Sequence, residues 1–206
     1  LVSFDFLDYS KILEKHGKVT REMLFNFPLS KIRKYLLENF DYIYTISNKE
    51  LDYITQFNKK IDFSHVPIQP SEYNIKLTNP KELHNLKDNF VFLMLGRIAK
   101  TKGQDIGVDA FIKSSEKMPN AKLIIIGRAD YEEEYAQKII DKIKNNKMEN
   151  KIMMKGELPR EEVLAWLKYS DIHIIPVRFM NSGAVIVETW ASGSTVIQSD
   201  IVDPNY

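Results

Sequence analysis

Two short stretches of the chain carry residue types whose spacing suits the handling of a negatively charged ligand. The first is Leu95-Gly96-Arg97-Ile98-Ala99-Lys100-Thr101-Lys102-Gly103, which follows an apolar, β-rich run and leads into a segment of helical period. In an open parallel sheet, ligands bind beyond the carboxyl ends of the strands, and this loop stands at such an end. Gly96 lets the backbone turn sharply, while Arg97 and Lys102 offer a diphosphate a planar fork and a point charge. The same residues would also make an ordinary solvated basic loop, so both readings stay open here.

The second stretch is Phe179-Met180-Asn181-Ser182-Gly183-Ala184-Val185-Ile186-Val187-Glu188, again just after an apolar run. Ser182 and Gly183 open a helix with backbone N–H groups that no earlier turn satisfies, a site suited to a phosphate or to sugar hydroxyls. Glu188 lies about a turn inside, on the otherwise apolar Ala184 to Ala191. A carboxylate is costly to bury there unless it accepts hydrogen bonds, and a ribose diol is a suitable donor. The competing reading is a carboxylate on an exposed helix face.

Other polar residues read as structural. His173 falls inside the apolar run Ile172 to Ile175 and is expected to be a packed, hydrogen-bonded strand residue rather than a base. His16, His65 and His84 show no ligand spacing, so no metal site is expected. The acidic run Asp130 to Glu134 reads as a solvated helix start whose charges suit the N-terminal dipole.

The elements that must position these residues follow from periodicity. Short β-rich runs at Phe90 to Leu95, Ala121 to Ile126, Ile152 to Lys155, Ile172 to Ile175 and Thr195 to Gln198 alternate with helical segments. The helices are predicted at Gln104 to Glu116, Glu132 to Lys144, Arg160 to Tyr169 and Ala184 to Ala191, with Pro159 well placed at a helix start. That alternation is the signature of βαβ units and a parallel sheet. The first third repeats it faintly. Strands are expected at Leu1 to Phe4, Tyr42 to Ile46 and Phe63 to Val66, and helices at Lys31 to Phe40 and Lys49 to Phe57, the latter behind a Ser47/Glu50 capping box. Residues 67–88 hold Pro67, Pro70 and Pro80 with little periodicity and read as a linker. The expected organisation is therefore 1–66 as the end portion of an N-terminal α/β domain, 67–88 as linker, and 89–206 as a truncated ligand-binding domain.

Composition narrows the function. Lys and Arg number 29 against 28 Asp and Glu in 206 residues, so no net basic field points to nucleic acid. The absence of Cys excludes disulfides and thiolate metal sites and suits a reducing cytoplasm. Runs such as Leu123 to Ile126 and Ile172 to Val177 fall far short of the ~20 residues of a spanning helix. The chain opens Leu-Val-Ser-Phe with neither Met nor a basic leader, which reads as a cut inside a larger protein.

In order along the chain stand Gly-Arg-x4-Lys-Gly at Gly96 to Gly103, Leu-Ile-Ile-Ile-Gly at Leu123 to Gly127, and Met-Lys-Gly-Glu-Leu at Met154 to Leu158. Tyr-Ser-Asp-Ile-His-Ile-Ile-Pro at Tyr169 to Pro176 and Glu-Thr-Trp-Ala-Ser-Gly at Glu188 to Gly193 complete the series. Any one of these is weak, but the ordered series resembles the large family-four, or group 1, class of retaining glycosyltransferases with GT-B architecture. The likeness runs through nearly the whole of residues 89–206. Phe40-Asp41-Tyr42-Ile43-Tyr44-Thr45-Ile46-Ser47 also looks like the end of that family's N-terminal domain, and His65-Val66-Pro67-Ile68 like the start of its interdomain segment. The implied fold is a Rossmann-like parallel α/β sheet with helices on both faces, preceded by part of a second α/β domain.

Carried over position by position, the resemblance implies that Arg97 and Lys102 bind the donor diphosphate, Glu188 binds the ribose, and the Gly183, Ala184 and Val185 backbone holds phosphate or sugar oxygens. Gly156, Glu157 and Leu158 are implied to lie near the base. One departure matters: eight positions before Glu188, where the family has a second Glu, this chain has Met180. A thioether is a poor partner for sugar hydroxyls, so the donor sugar is expected to be read through Asn181 or Arg178. A His often assigned to catalysis in the family's N-terminal domain has no counterpart among residues 1–66.

The implied activity is sugar transfer from a nucleoside diphosphate sugar to an unidentified acceptor (saccharide, lipid-linked or small molecule) with retention at the anomeric carbon. No metal or cofactor is expected beyond the donor substrate, and the full-length protein is expected in the cytoplasm, with peripheral association at the inner face of the membrane. The rival reading is a non-catalytic GT-B domain that binds a nucleotide sugar or a partner protein within a glycosylation assembly, and Met180 favours it. A sugar-nucleotide epimerase fits the motif series less well.

Overall fold

The computed structural model describes residues 37–45, 51, 54–63, 70–73, 76–130, 132–178 and 184–200. The chain divides into two compact units, Leu1–His65 and Val66–Tyr206.

In the first unit, strands β1 (Ile43–Thr45) and β2 (Ile61–Phe63) pair in parallel, Ile43 against Ile61. Leu37, Ile43 and Ile54 are buried together, with Phe40, Phe57 and Ile61 packed on them. Buried Asn58 ties this core to the chain before β1: its Nδ2 donates to the carbonyls of Leu37 and Phe40, each at 2.8 Å. The second strand lies about two residues earlier than the expected Phe63 to Val66. Lys60 is turned into it by its N–H, which donates to Asn58 Oδ1 at 2.8 Å. The predicted strand Leu1 to Phe4 lies outside the described residues.

The second unit opens with helices α1 (Pro70–Tyr73) and α2 (Pro80–Leu83), inside the segment read as linker. Each begins with a proline, a residue pre-set for the first helical position, where its missing N–H costs nothing. Asn79 caps α2 by accepting the Lys81 N–H at 2.9 Å. Leu77 and Leu86 are buried in the main core, so residues 77–86 pack as part of this unit.

The remainder is a five-stranded parallel sheet of β3 (Phe90–Leu95), β4 (Ala121–Ile126), β5 (Ile152–Gly156), β6 (Ile172–Ile175) and β7 (Thr195–Gln198). The strand order is β5-β4-β3-β6-β7. Four helices connect the strands: α3 (Gln104–Ser114), α4 (Glu133–Asn145), α5 (Arg160–Tyr169) and α6 (Ala184–Ala191). Alternation along each strand sorts the core into two layers. Phe92 and Met94 of β3, with Leu123 and Ile125 of β4, face Val108 and Phe111 of α3 and the Tyr135, Ala136, Ile139, Ile143 stripe of α4. Val91, Leu93, Ile124 and Ile126 face the opposite way, onto Leu164 to Leu167 of α5. Ile186 of α6 packs with Ile175 and Val177. The doubly wound α/β, Rossmann-like architecture expected from the sequence is thus present, with helices on both faces.

Helix α3 lies close on β3 because residue 107 is glycine; a Cβ there would fall 2.3 Å from Met94 Sδ. At the amino end of the sheet, Asp171 Oδ2 accepts the Val91 N–H at 2.7 Å and Lys81 Nζ at 3.0 Å, fastening β3, β6 and α2 together. His173 is fully buried on β6, with Nδ1 2.6 Å from Thr189 Oγ1 on α6. Thr189 donates its own proton to the Val185 carbonyl at 2.6 Å, so Nδ1 carries the hydrogen and Nε2 is a bare acceptor without a partner among the described residues. Burial lowers the His173 pKa to about 4, which keeps the ring neutral and suits the structural role read from the sequence.

Candidate functional site

The chain leaves β3 for β4 on one side and returns through β6 on the other, so the connections diverge between β3 and β6. In open sheets of this kind ligands bind at the switch point, in the crevice outside the carboxyl ends of the strands. The segments that follow β3 and β6 are Gly96–Gly103 and Pro176 onward, the two stretches whose residue types suit an anionic ligand.

The floor of the crevice is made by backbone. Gly96 has φ +139° and Gly127 φ +153°, and a Cβ on Gly127 would lie 1.9 Å from the Gly96 carbonyl oxygen. Here the chain needs glycine for space as well as for its dihedral angle. The Gly96 N–H donates to Ile126 O at 2.9 Å, the Gly127 N–H to Gly156 O at 2.8 Å, and the Ile98 N–H to Arg128 O at 2.8 Å. The loop ends after β3, β4 and β5 are therefore laced together before any side chain is considered.

Side chains then fix the course of the loop. Ile98 and Ala99 point into the core, 1% and 2% exposed. Gln104, buried at the start of α3, donates from Nε2 to the Arg97 carbonyl at 2.7 Å and accepts the Ala99 N–H at 3.4 Å. Gly103 has φ +69°, and a Cβ on it would lie 1.8 Å from the Pro176 carbonyl oxygen, so the two loops pass backbone against backbone. The Arg178 N–H donates to Thr101 O at 2.9 Å, closing the seam.

Arg97 is exposed and Lys102 half-buried. Burial lowers the Lys102 pKa, and the nearby positive charge of Arg97 lowers it further. A partly desolvated lysine with a second positive charge nearby is stabilised when an anion binds beside it.

Arg178 takes a different place from the one expected of it. Its guanidinium grips Asp105 with both edges, Nη1 to Oδ1 at 2.7 Å and Nη2 to Oδ2 at 2.8 Å, and Nη1 also donates to Lys100 O at 3.0 Å. Tyr135 donates to Asp105 Oδ1 at 2.6 Å and accepts the Asp105 N–H at 3.1 Å. These partners, Arg178 foremost, hold the Asp105 carboxyl down at about 2. Burial and the Asp105 carboxylate push the Tyr135 phenol up to about 12. Arg178 thus clamps the loop after β3 to the segment after β6.

On the far side of the edge, Gly156 has φ +70° with open space where a Cβ would stand. Glu157 is exposed, with Oε2 4.0 Å from Arg128 Nε, and Leu158 packs on the α5 core. Ala184 and Val185 begin α6, both half-buried. Asn181, Ser182 and Gly183, like Met180, lie outside the described residues. Glu188 is neither on an open helix face nor without a partner: its side chain is 20% exposed, and Oε1 lies 2.7 Å from Arg160 Nη2. Arg160 and Gln104 were not singled out in the sequence. Gln104 follows Gly103 at a helix start, and Arg160 stands beside Pro159 at another, but neither placement names its partner.

A family model for glycosyl transferases group 1 matches residues 76–205, which cover the whole of this sheet and its loops. The chain belongs to that family. An uncharacterized glycosyltransferase of Methanocaldococcus jannaschii is 30% identical over 161 residues, 71% of this chain and 38% of that protein. The mannosylfructose-phosphate synthase of Agrobacterium fabrum is 26% identical over 111 residues, 52% of this chain and 24% of the enzyme. Among solved structures, the Anabaena protein HepE in complex with UDP and glucose superposes with a TM-score of 0.73 at 18% identity, over 82% of this chain and 47% of that one. This group 1 chain therefore spans less than half the length of each of these relatives, and its sheet has the GT-B glycosyltransferase fold.

Proposed function

We propose that the protein transfers a sugar from a nucleoside diphosphate sugar to an acceptor hydroxyl with retention at the anomeric carbon. The observation that carries this reading is the placement of Arg97 and half-buried Lys102 on a loop held by backbone and Gln104 hydrogen bonds at the switch point of the sheet. Family membership and the UDP bound to a structural relative support a nucleotide sugar as the anion.

In the reaction the bond between the anomeric carbon and the β-phosphate oxygen breaks, and the acceptor oxygen bonds to that carbon on the face the diphosphate leaves. The acceptor proton passes to the departing diphosphate, so no protein base is needed. Arg97, Lys102 and backbone N–H groups of the Gly183 to Val185 segment stabilise the charge that grows on the leaving group. Preorganised electrostatics of this kind is commonly the largest single contribution to catalysis. Glu188 accepts the ribose hydroxyls, Gly156 to Leu158 border the base, and the charge compensation is supplied by side chains rather than by a metal.

Met180, where the family carries a carboxylate, favours a second reading: a domain that binds a nucleotide sugar without turning it over. Transfer or hydrolysis of labelled UDP- and GDP-sugars by the full-length protein separates the two. Turnover that falls by about 100-fold or more in Lys102→Ala, the scale of losing one charge-stabilising donor, supports the enzyme. Binding without turnover, restored to turnover in Met180→Glu, supports the binder. If neither nucleotide sugar binds, both readings fail.

A further inference from the structure

The ribose side of this site is built from two residues. Arg160 opens α5 directly after the Gly156 to Pro159 turn, and its Nη2 lies 2.7 Å from Glu188 Oε1. The same nitrogen lies 3.1 Å from Glu72 Oε2 and 3.4 Å from Tyr73 Oη, both on α1. One guanidinium thus stands among two carboxylates and a phenol. Tyr73 resists ionisation because of burial and the nearby Glu188 charge, so the cluster has one cation for two anions.

We propose that Arg160 is a positioning residue for Glu188 and, through it, sets a preference for ribonucleotide over 2′-deoxyribonucleotide donors. This rests on the reading of Glu188 as the ribose acceptor. A carboxylate offers two oxygens and about four acceptor positions. Arg160 is ion-paired with Oε1 alone, so Oε2 and the remaining positions on Oε1 are left for a ribose diol without expelling the guanidinium. The contact holds the carboxylate in one orientation on a helix where it is four-fifths buried. Without Arg160, Glu188 and Glu72 are left as neighbouring like charges, and Glu188 is partly buried with its cation gone. Such a group turns toward water, which removes a fixed acceptor from the ribose hydroxyls.

The test is calorimetric titration of UDP, GDP and their 2′-deoxy forms into the full-length protein, for wild type, Arg160→Ala and Arg160→Lys. Wild type is expected to prefer the ribose form by about tenfold or more, the scale of a hydrogen bond to a charged group. Arg160→Ala is expected to lower that ratio to about twofold, and Arg160→Lys, which keeps the charge but replaces the planar guanidinium with a compact, more strongly hydrated ammonium, to an intermediate value. If Arg160→Ala weakens both forms equally and leaves the ratio unchanged, the residue acts only through overall charge; the proposal is then overturned and the Glu188 reading stands. If wild type shows no preference, the Glu188 reading itself is overturned, and this one with it. Should Arg160→Ala fail to fold, Arg160→Lys decides alone: an unchanged ratio overturns the proposal.

Discussion

Arg178 and Asp105, 73 positions apart in the chain, meet fork to fork at 2.7 and 2.8 Å, and their contact fastens the loop after β3 to the segment after β6. Because Arg178 also holds the Lys100 and Thr101 carbonyls, the pair sets the course of the loop that carries Lys102.

The first prediction concerns that pair and acid. The Asp105 carboxyl is lowered from 3.8 to about 2 in the fold, so its stabilising contribution is fully present above pH 3.8 and fades as pH falls through about 2. Wild type should exceed Asp105→Asn in urea stability by about 1 kcal/mol near neutrality, after allowance for the partial exposure of Arg178. The difference should shrink in acid. A gap that widens below pH 4 would contradict this account.

The second prediction separates two glycines. Gly103 and Gly193 both have positive φ, but a Cβ on Gly103 would collide with the Pro176 carbonyl while one on Gly193 meets nothing within 4 Å. Gly193→Ala should cost about 1 to 2 kcal/mol from its dihedral angle alone. Gly103→Ala should cost about 3 kcal/mol or more, because the two loops must move apart. Thermal melts of both variants test this; equal losses would mean that the contact with Pro176 is not tight.

The third prediction uses Lys102. Burial and Arg97 lower its pKa in the free protein, and a bound diphosphate favours the charged amine and raises it again. Affinity for UDP or GDP should therefore fall as pH rises through the depressed titration of Lys102, below the ordinary lysine value of 10.5. Lys102→Arg should move that fall out of range and Lys102→Gln should abolish it. Affinity independent of pH in wild type up to 10.5 would remove Lys102 from the anion site.

The fourth prediction concerns His173, whose pKa drops from 6.5 to about 4 on burial. Between these values the unfolded chain binds a proton that the folded chain refuses, so stability rises with pH across that window and is flat above it. The full effect is about 3 kcal/mol. Urea midpoints from pH 4 to pH 7 should show this slope in wild type and lose it in His173→Leu; an identical slope in both would place the titrating group elsewhere.

Much of the second unit was legible in the sequence because strand and helix periods alternate without ambiguity there. β3, β4, β6 and β7 have the bounds expected from their β-rich runs. The helices in residues 67–88 have no legible period because each spans only four residues, and a proline marks a helix start as readily as a break. At the site, the loops themselves carry a local signature of glycines and cations. The pairs Arg178 with Asp105 and Arg160 with Glu188 do not, because which side chains meet depends on strand order, and strand order leaves no trace in periodicity. Glu188 illustrates the difference: its apolar neighbours leave burial and an exposed helix face as alternatives, and its partner Arg160 comes from another helix.

The Asp171 carboxylate, which joins Val91, Lys81 and β6, stands at the amino end of the sheet, opposite the glycines that floor the crevice. The two ends of one sheet are thus free to drift under separate selection. Substitutions around Lys81 and Asp171 act on the anchoring of α2, β3 and β6 at the end of the sheet away from the Gly96 and Gly127 loops.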